Sequence, residues 1–184
     1  MDLLDFTGDE MYFDQALPAE VDQLISDAAE HYDADGGTDT AEHSLMRAYF
    51  LAPEHLTVLV ALYRFFYYRQ RYADALTVAD RAIARAAREL GLDPDWRTIS
   101  PNALNQAAAE SMVLTRFLLL ALKGAGFLLM RMERPTDALE RLEKAAAIDD
   151  SDRLGIGDLL AWARRAAIED EVTAQGDNIH YIGR

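Results

Sequence analysis

The sequence contains no cysteine among its 184 residues. This absence excludes a disulfide framework, a thiolate metal site and a cysteine nucleophile, and it suits a protein that works in a reducing compartment. At 20.6 kDa the chain is long enough for one domain or one short solenoid. A chain of this size buries roughly 70% of its unfolded surface, so it folds without covalent staples.

Basic residues are nearly missing from the first third of the chain. Residues 1–55 hold 14 Asp and Glu against Arg47 alone, whereas residues 56–184 hold 18 acidic and 17 basic residues. A field of this sign repels nucleic acid and anionic lipid, and it favours a basic protein surface. We therefore expect no nucleic-acid partner.

The beginning of the sequence lacks the features of a secretory signal. MDLLDFTGDE is acidic and has neither a positive n-region nor a long apolar run, so we expect a cytoplasmic protein. Residues 112–130 are long and apolar enough to span a bilayer, but they include Arg116 and Lys123. Each cation costs about 2.5 to 3.5 kcal/mol near the bilayer centre. A helix buried on most sides explains this stretch better, and we expect no membrane partner.

Motifs of catalysis and cofactor binding are missing as well. The four histidines follow no metal-ligand spacing, and there is no GxSxG, no Walker loop and no strand-bounded GxGxxG. Gly124 and Gly126 lie inside a helical pattern, where close helix packing explains them better than phosphate binding. An EF-hand loop starting at Asp33 would need Gly and Glu where Thr38 and Ser44 stand. We expect a protein that is not an enzyme and that has no cofactor and no metal.

What the sequence does contain is a repeat built on small residues. Alanines recur seven positions apart in three segments, and the first two segments are offset by 34 residues. Positions seven apart share one face of a helix, and a methyl-sized side chain lets two helix axes approach closely. The alanines are Ala41 and Ala48, Ala75 and Ala82, and Ala138 and Ala145.

With this period and these alanines, the chain resembles the tetratricopeptide repeat (TPR) family. The second unit also has Leu62, Phe66 and Tyr72 at family positions, although Tyr63 stands where a small residue is usual and Asp150 replaces a proline in the third unit. The resemblance implies an all-α, TPR-like solenoid of about three helical hairpins in one domain, residues 1–184. Its parts are an acidic N-terminal segment (1–20), repeats (22–55, 56–89 and 119–152), an insertion after the second repeat (90–118), a C-terminal capping helix (153–173) and a tail (174–184).

The insertion between the second and third repeats is predicted to begin as a loop. Gly91 and Pro94 end the preceding helix near Leu90. Ser100 followed by Pro101 then predicts an N-cap and a first helical residue. From there we expect one long helix to residue 132 or so. Loops that interrupt repeats often lie on the working face.

The aromatic residues are concentrated in one place. They make up only 9% of the chain, yet six of them fall in the ten positions 63–72. On a helix over residues 54–70, two stripes at a spacing of 3.6 residues indicate core positions. In the architecture of the resembled family, the remaining stripe of each first helix lines a concave groove. The groove residues implied for the second and third units are Arg64, Tyr67, Tyr68, Arg71, Lys123, Phe127, Met130 and Arg131.

This implied groove is acidic or polar at its first unit and basic and aromatic further on. Tyr and Arg are common interface hot spots, worth about 2 kcal/mol or more each when central, so we expect the groove to bind a protein. Alternatively, the C-terminal helix folds back over Tyr67 and Phe127. The Lys and Asn clamp with which some family members hold a C-terminal carboxylate is missing. Its positions hold Ser26, Glu30, Ala61, Leu120 and Gly124, and the other polar positions of the first unit are Gln23, Asp27 and Asp33.

The function implied is that of a non-catalytic adaptor or assembly chaperone for a protein client. The runs ALYRFFYYRQRY, LALKGAGFLLMRM and SDRLG resemble those of small TPR-like proteins encoded among nitrogen-fixation genes, a group that includes nitrogenase-associated factor T. This second resemblance implies a client that is nitrogenase or a component of its assembly, with no catalytic residue to transfer. The alternative is a type III secretion chaperone that holds a translocator segment. Repeats of that class are ordinarily uninterrupted, so the insertion counts against it.

Overall fold

A computed structural model describes residues 16–31, 38–149 and 152–176, and within these ranges it contains eight helices and no strand. The expected all-α class is therefore confirmed. Parts of the predicted N-terminal segment, of the first repeat and of the C-terminal tail lie outside the described residues, as do Asp33 and Asp150. The helices are α1 (Ala19–His31), α2 (Thr38–Leu51), α3 (Leu56–Tyr68), α4 (Tyr72–Glu89), α5 (Pro101–Glu110), α6 (Met112–Arg131), α7 (Pro135–Ala146) and α8 (Gly157–Gly176).

The helices pack in the order of the chain. α1 packs on α2, α3 on α4 and α6 on α7, while α2 meets α3, α4 meets α6, and α7 meets α8. Since α3 and α4 are joined by three residues, as are α6 and α7, the members of each pair run antiparallel. The helix α5 packs on α6.

Two of these pairs are closed by the same turn. Gln70 and Glu133 both have φ 57°, and they lie 63 residues apart. In each turn the next residue is an arginine, Arg71 or Arg134, whose Nε donates to the carboxylate three residues later at 2.7 Å. The α3–α4 and α6–α7 pairs thus share the same turn, one before the insertion and one after it.

The alanines of the repeat lie at the predicted helix contacts. All six are buried, on α2, α4 and α7, and five have no exposed surface at all. Across the α6–α7 contact, a Cβ added to Gly126 would lie 2.7 Å from the Cγ and Cδ2 atoms of Leu142. A larger residue would fit there only if Leu142 moved, so the expectation of close helix packing at Gly126 is confirmed.

The prediction of one long helix through residues 101–132 is wrong. Ser111 has φ −146° and ψ 97°, and it ends α5 and begins α6. Its hydroxyl accepts a hydrogen bond from the backbone N–H of Leu114 at 3.3 Å. A serine side chain offers the backbone this local partner in place of a continuing helix. The C-terminal helix also begins later than predicted, at Gly157, because the Asp152 carboxylate accepts from the backbone N–H groups of Ile156 and Gly157.

The loop that opens the insertion is held on α7. Trp96 is 6% exposed and lies between the guanidinium groups of Arg97 and Arg141, 4.5 and 5.2 Å from its ring. Arg141 in turn forms a two-pronged ion pair with Asp80 of α4. Lys144 donates to the carbonyl of Arg97 at 2.7 Å. The loop is therefore fixed to α7, which Arg141 joins to α4.

In the described part of the chain, α6 alone has the length and composition of a membrane-crossing helix. Its apolar window is 67% buried inside the protein. It contacts α4, α5 and α7. Core helices of folded proteins pass the same test of length and hydropathy.

Candidate functional site

Five aromatic rings meet where α3 turns into α4 beside α6. Tyr67 is at their centre, with ring centroids 6.2 Å from Tyr63, 5.5 Å from Tyr68, 6.2 Å from Tyr72 and 6.2 Å from Phe127. These distances lie within the range in which aromatic pairs attract. We call these five residues the aromatic cluster.

The aromatic cluster runs from the core to solvent. Tyr63 is 2% exposed, Tyr67, Tyr72 and Phe127 are partly buried, and Tyr68 is 52% exposed. The hydrophobic core therefore anchors one side of the cluster, while the other side offers ring surface to a partner. Rings of this kind give large contact area at a small cost in conformational entropy, since few torsions are frozen.

One cation borders the aromatic cluster. The Arg131 guanidinium lies 5.4 Å from the centroid of the Tyr72 ring, and its Nη2 donates to the Tyr72 hydroxyl at 3.0 Å. Arg131 is exposed. The cluster thus combines aromatic surface with a positively charged edge.

A pocket of about 320 Å³ lies between α1, α2 and α3. Its walls include the apolar side chains of Ile25, Leu45 and Phe65, and Arg64 and Tyr68 also line it. We call it the α1–α3 pocket. Tyr68 belongs both to this pocket and to the aromatic cluster, so the two features form one continuous surface.

Arg64 is the cation of the α1–α3 pocket. It is partly buried. Across residues 16–31, 38–149 and 152–176, its side chain forms no hydrogen bond and no ion pair. Arg47 of α2, by comparison, pairs with Glu20 at 3.3 Å. Arg64 therefore lines an apolar pocket with donors that no described side chain uses.

The structure brings together some of the predicted groove residues and separates others. Tyr67, Tyr68, Phe127 and Arg131 meet in or beside the aromatic cluster, and Arg64 reaches it through Tyr68. The structure does not bring the other three, Arg71, Lys123 and Met130, into the aromatic cluster or the pocket.

Arg71 is held by acidic neighbours rather than left for a partner. Its guanidinium donates to Glu42 and to Asp74, each at 2.7 Å, and lies 4.6 Å over the ring of Phe66. The hydrogen bond to Glu42, followed by that to Asp74, raises the pKa of Arg71 above its ordinary value. Lys123 donates to the carbonyl of Leu154 at 2.8 Å and so fastens the segment before α8 to α6.

Met130 is 7% exposed and belongs to the core, so it does not line a groove as the sequence predicted. The side of α6 that reaches solvent at this end carries Phe127 and Arg131 instead. The alternative in which the C-terminal helix covers Tyr67 and Phe127 is not the main packing seen, since α8 packs on α7.

Sequence reasoning missed Tyr72 as a site residue and missed the α1–α3 pocket. A signal for Tyr72 exists, because an aromatic residue that directly follows a short turn returns beside the end of the preceding helix. The pocket has no such signal. It arises from the spacing between α1 and α3, and nothing in the periodicity of either helix encodes that spacing.

The candidate acidic and histidine residues take simple structural roles. The Gln23 amide donates to Asp27 at 2.7 Å along α1. His55 caps α3 by accepting the backbone N–H of Thr57 at 3.3 Å. No group of three or more His, Asp or Glu in the described ranges is arranged to hold a metal ion.

Comparison with known proteins gives one informative match. The chain is 43% identical over 155 residues to an uncharacterized 19.8 kDa protein in the nifW 5′ region of Azotobacter chroococcum mcd 1, and the match covers 84% of each chain. No family model matches the sequence, so the TPR resemblance rests on its residues and spacing. No solved structure matches it either.

Proposed function

Because the chain belongs to the same family as the nifW-region protein of Azotobacter chroococcum mcd 1, we propose that it serves nitrogen fixation as a non-catalytic adaptor or assembly chaperone. Its client would be a protein, either nitrogenase or a component of nitrogenase assembly, in the cytoplasm. The genetic position of the relative supports the nitrogen-fixation part of this proposal. The type III secretion alternative has no comparable support.

The proposal includes a TPR-like arrangement of the helix pairs. Its support is the equivalence of the α3–α4 and α6–α7 turns and the buried alanines on α2, α4 and α7. In such an arrangement the first helices, α1, α3 and α6, share one concave side. The α1–α3 pocket and the aromatic cluster are both built mainly by these helices, as a binding groove requires.

The aromatic cluster is the observation that carries the protein-binding role. Interfaces are enriched in Tyr, Phe and Arg, and a few such residues at the centre dominate the binding energy. Tyr67, Phe127 and Arg131 are of these types: Tyr67 and Phe127 contact each other, and Arg131 contacts Tyr72, another ring of the cluster. A protein client that covers them would bury ring area that the folded chain leaves in water.

The test is a pull-down from native cells grown with dinitrogen as the only nitrogen source. The baits are the full-length protein, a Tyr67→Ala, Phe127→Ala variant and a Tyr49→Ala, Phe50→Ala control. The control also loses two neighbouring rings, 6.3 Å apart, but from α2. Loss of two hot spots of about 2 kcal/mol each lowers affinity by roughly a factor of several hundred. We expect the control to keep the clients and the cluster variant to lose them. Equal recovery by both variants would contradict the proposal.

A further inference from the structure

We infer that the α1–α3 pocket receives a client segment in which a large apolar side chain has an aspartate or glutamate beside it. The apolar side chain enters the pocket, and Arg64 pairs with the neighbouring carboxylate. The inference rests on the proposed function and narrows it, since it states the chemistry by which the client is recognised.

The size and walls of the pocket favour an apolar side chain. An apolar cavity of about 150 Å³ holds a benzene molecule, and ligand pockets begin at about 300 Å³. The α1–α3 pocket, at about 320 Å³, has room for the side chain of Phe, Leu or Met together with part of its backbone. Ile25, Leu45 and Phe65 supply its apolar lining, so burying such a side chain there removes apolar surface from water on both partners.

Arg64 supplies the polar half of the recognition. A guanidinium carries five donors in a planar fork that matches a carboxylate with two parallel hydrogen bonds. In the described part of the chain nothing else takes these donors. The position is partly shielded from water, where a charge pair is stronger than on the open surface.

The acidic side chains near the pocket disfavour a ligand with many negative charges and favour one with a single carboxylate. The helix α1 exposes Glu20, Asp22 and Glu30 beside the face that forms the pocket. A phosphate-rich ligand would be repelled by this field, while one carboxylate at Arg64 is tolerated. A side-chain carboxylate fits better than a chain terminus. Tyr68 continues the surface from the pocket to the aromatic cluster, so a bound segment has a path along which to extend.

The experiment is a selection of phage-displayed random peptides on the full-length protein. Three baits are compared: the wild type, Arg64→Glu, and Arg165→Glu, which makes the same charge change at an exposed position of α8. We expect the wild type and the control to enrich Asp or Glu next to Leu, Phe or Met. The Arg64→Glu bait should keep the apolar preference and exchange the acidic one for Lys or Arg.

Binding of the selected peptides is then measured by fluorescence anisotropy. Replacing the peptide carboxylate by its amide should weaken binding to the wild type about tenfold, as expected for one charged hydrogen-bonded pair. The same replacement should strengthen binding to the Arg64→Glu variant, because it removes the repulsion between the peptide carboxylate and the introduced glutamate. An Ala29→Leu variant, which extends an exposed pocket-lining side chain into the cavity, should weaken every selected peptide while Arg64 stays in place.

The outcomes separate this inference from the proposed function. If the peptides show no acidic preference, if Arg64→Glu leaves that preference unchanged, or if no peptide is enriched, the inference is overturned. The proposed function stands in those cases as long as the Tyr67→Ala, Phe127→Ala bait still loses its clients from cells. If analytical ultracentrifugation shows a dimer and Arg64→Glu dissociates it, the occupant of the pocket is a second copy of the chain. This result also overturns the inference.

Discussion

The contact of α6 with α7 at Gly126 allows a stability prediction whose sign depends on one neighbour. In a Gly126→Ala variant the new methyl group would lie 2.7 Å from two carbon atoms of Leu142 and 3.4 Å from a third. Leu142 is fully buried, so its side chain has no solvent to move into. Overpacking of this kind costs about 1 to 3 kcal/mol.

The helix itself gains from the same substitution. Alanine is more favourable than glycine inside a helix by about 0.5 to 1 kcal/mol. Because Leu142 is fully buried, we place the overpacking cost in the upper part of its range, at about 2 to 3 kcal/mol. After the helix gain is subtracted, Gly126→Ala should lower the free energy of unfolding by about 1 to 2.5 kcal/mol. For a chain of this size that corresponds to a fall in Tm of roughly 2 to 10 °C.

A double-mutant cycle with Leu142→Ala isolates the cause. Leu142→Ala alone should cost about 2 to 5 kcal/mol, because it leaves a cavity at the helix contact. In that background the added methyl group no longer meets a leucine, so Gly126→Ala should stabilise the protein by up to about 1 kcal/mol.

Urea unfolding followed by circular dichroism measures all four proteins. The slope against urea checks that each one unfolds with a similar change in exposed surface. If Gly126→Ala stabilises the protein equally with and without Leu142, the helices are not in contact at this point and the reasoning fails.

Two further predictions concern the repeat and the insertion. Ala75→Leu, at a fully buried repeat position, should lower the free energy of unfolding by about 1 to 3 kcal/mol. Ala73→Leu, at an exposed position of the same helix, should change it by no more than about 0.5 kcal/mol. Equal effects of the two substitutions in urea unfolding would show that Ala75 is not at a close helix contact. Trp96→Ala should lower the free energy of unfolding by about 3 to 5 kcal/mol and expose the peptide bond after Arg97 to trypsin. Trp162→Ala, at a side chain that is 41% exposed, should have neither effect. A Trp96→Ala protein as resistant to trypsin as the wild type would show that the ring does not hold the loop.

The helices and their contacts were predictable because their signals are local and periodic. The alanine spacing identified buried positions on α2, α4 and α7, and Ser100 with Pro101 identified the start of α5. The break at Ser111 was not predictable in this way. A serine tolerates a helix interior, and the residues on both sides of it continue the helical pattern, so the break shows only in the structure, in the extended backbone of Ser111 and its hydrogen bond from the N–H of Leu114.

The candidate site was predictable only as far as the 3.6-residue period holds. Tyr67 and Phe127 are on regular helix, and they meet as the period implies. Arg71 lies beyond the end of α3, where the period no longer defines a face. Lys123 is taken by the carbonyl of Leu154, 31 residues later in the chain, and no local pattern encodes such a contact. Met130 is buried because α6 packs on several neighbours, so more of its circumference is core than one amphipathic stripe predicts.

The insertion lengthens the chain between the α3–α4 and α6–α7 pairs, yet both pairs keep the same turn. The equivalent turn residues Gln70 and Glu133 are separated by one 34-residue period plus the 29-residue insertion, and α4 still packs directly on α6. The loop around Trp96 packs on Arg141 of α7, whereas the aromatic cluster is formed by α3, α6 and the first residue of α4. Different helices therefore carry the loop contact and the proposed binding surface. The two are linked through the helix framework, because Arg141 also pairs with Asp80 of α4, the helix that begins at Tyr72.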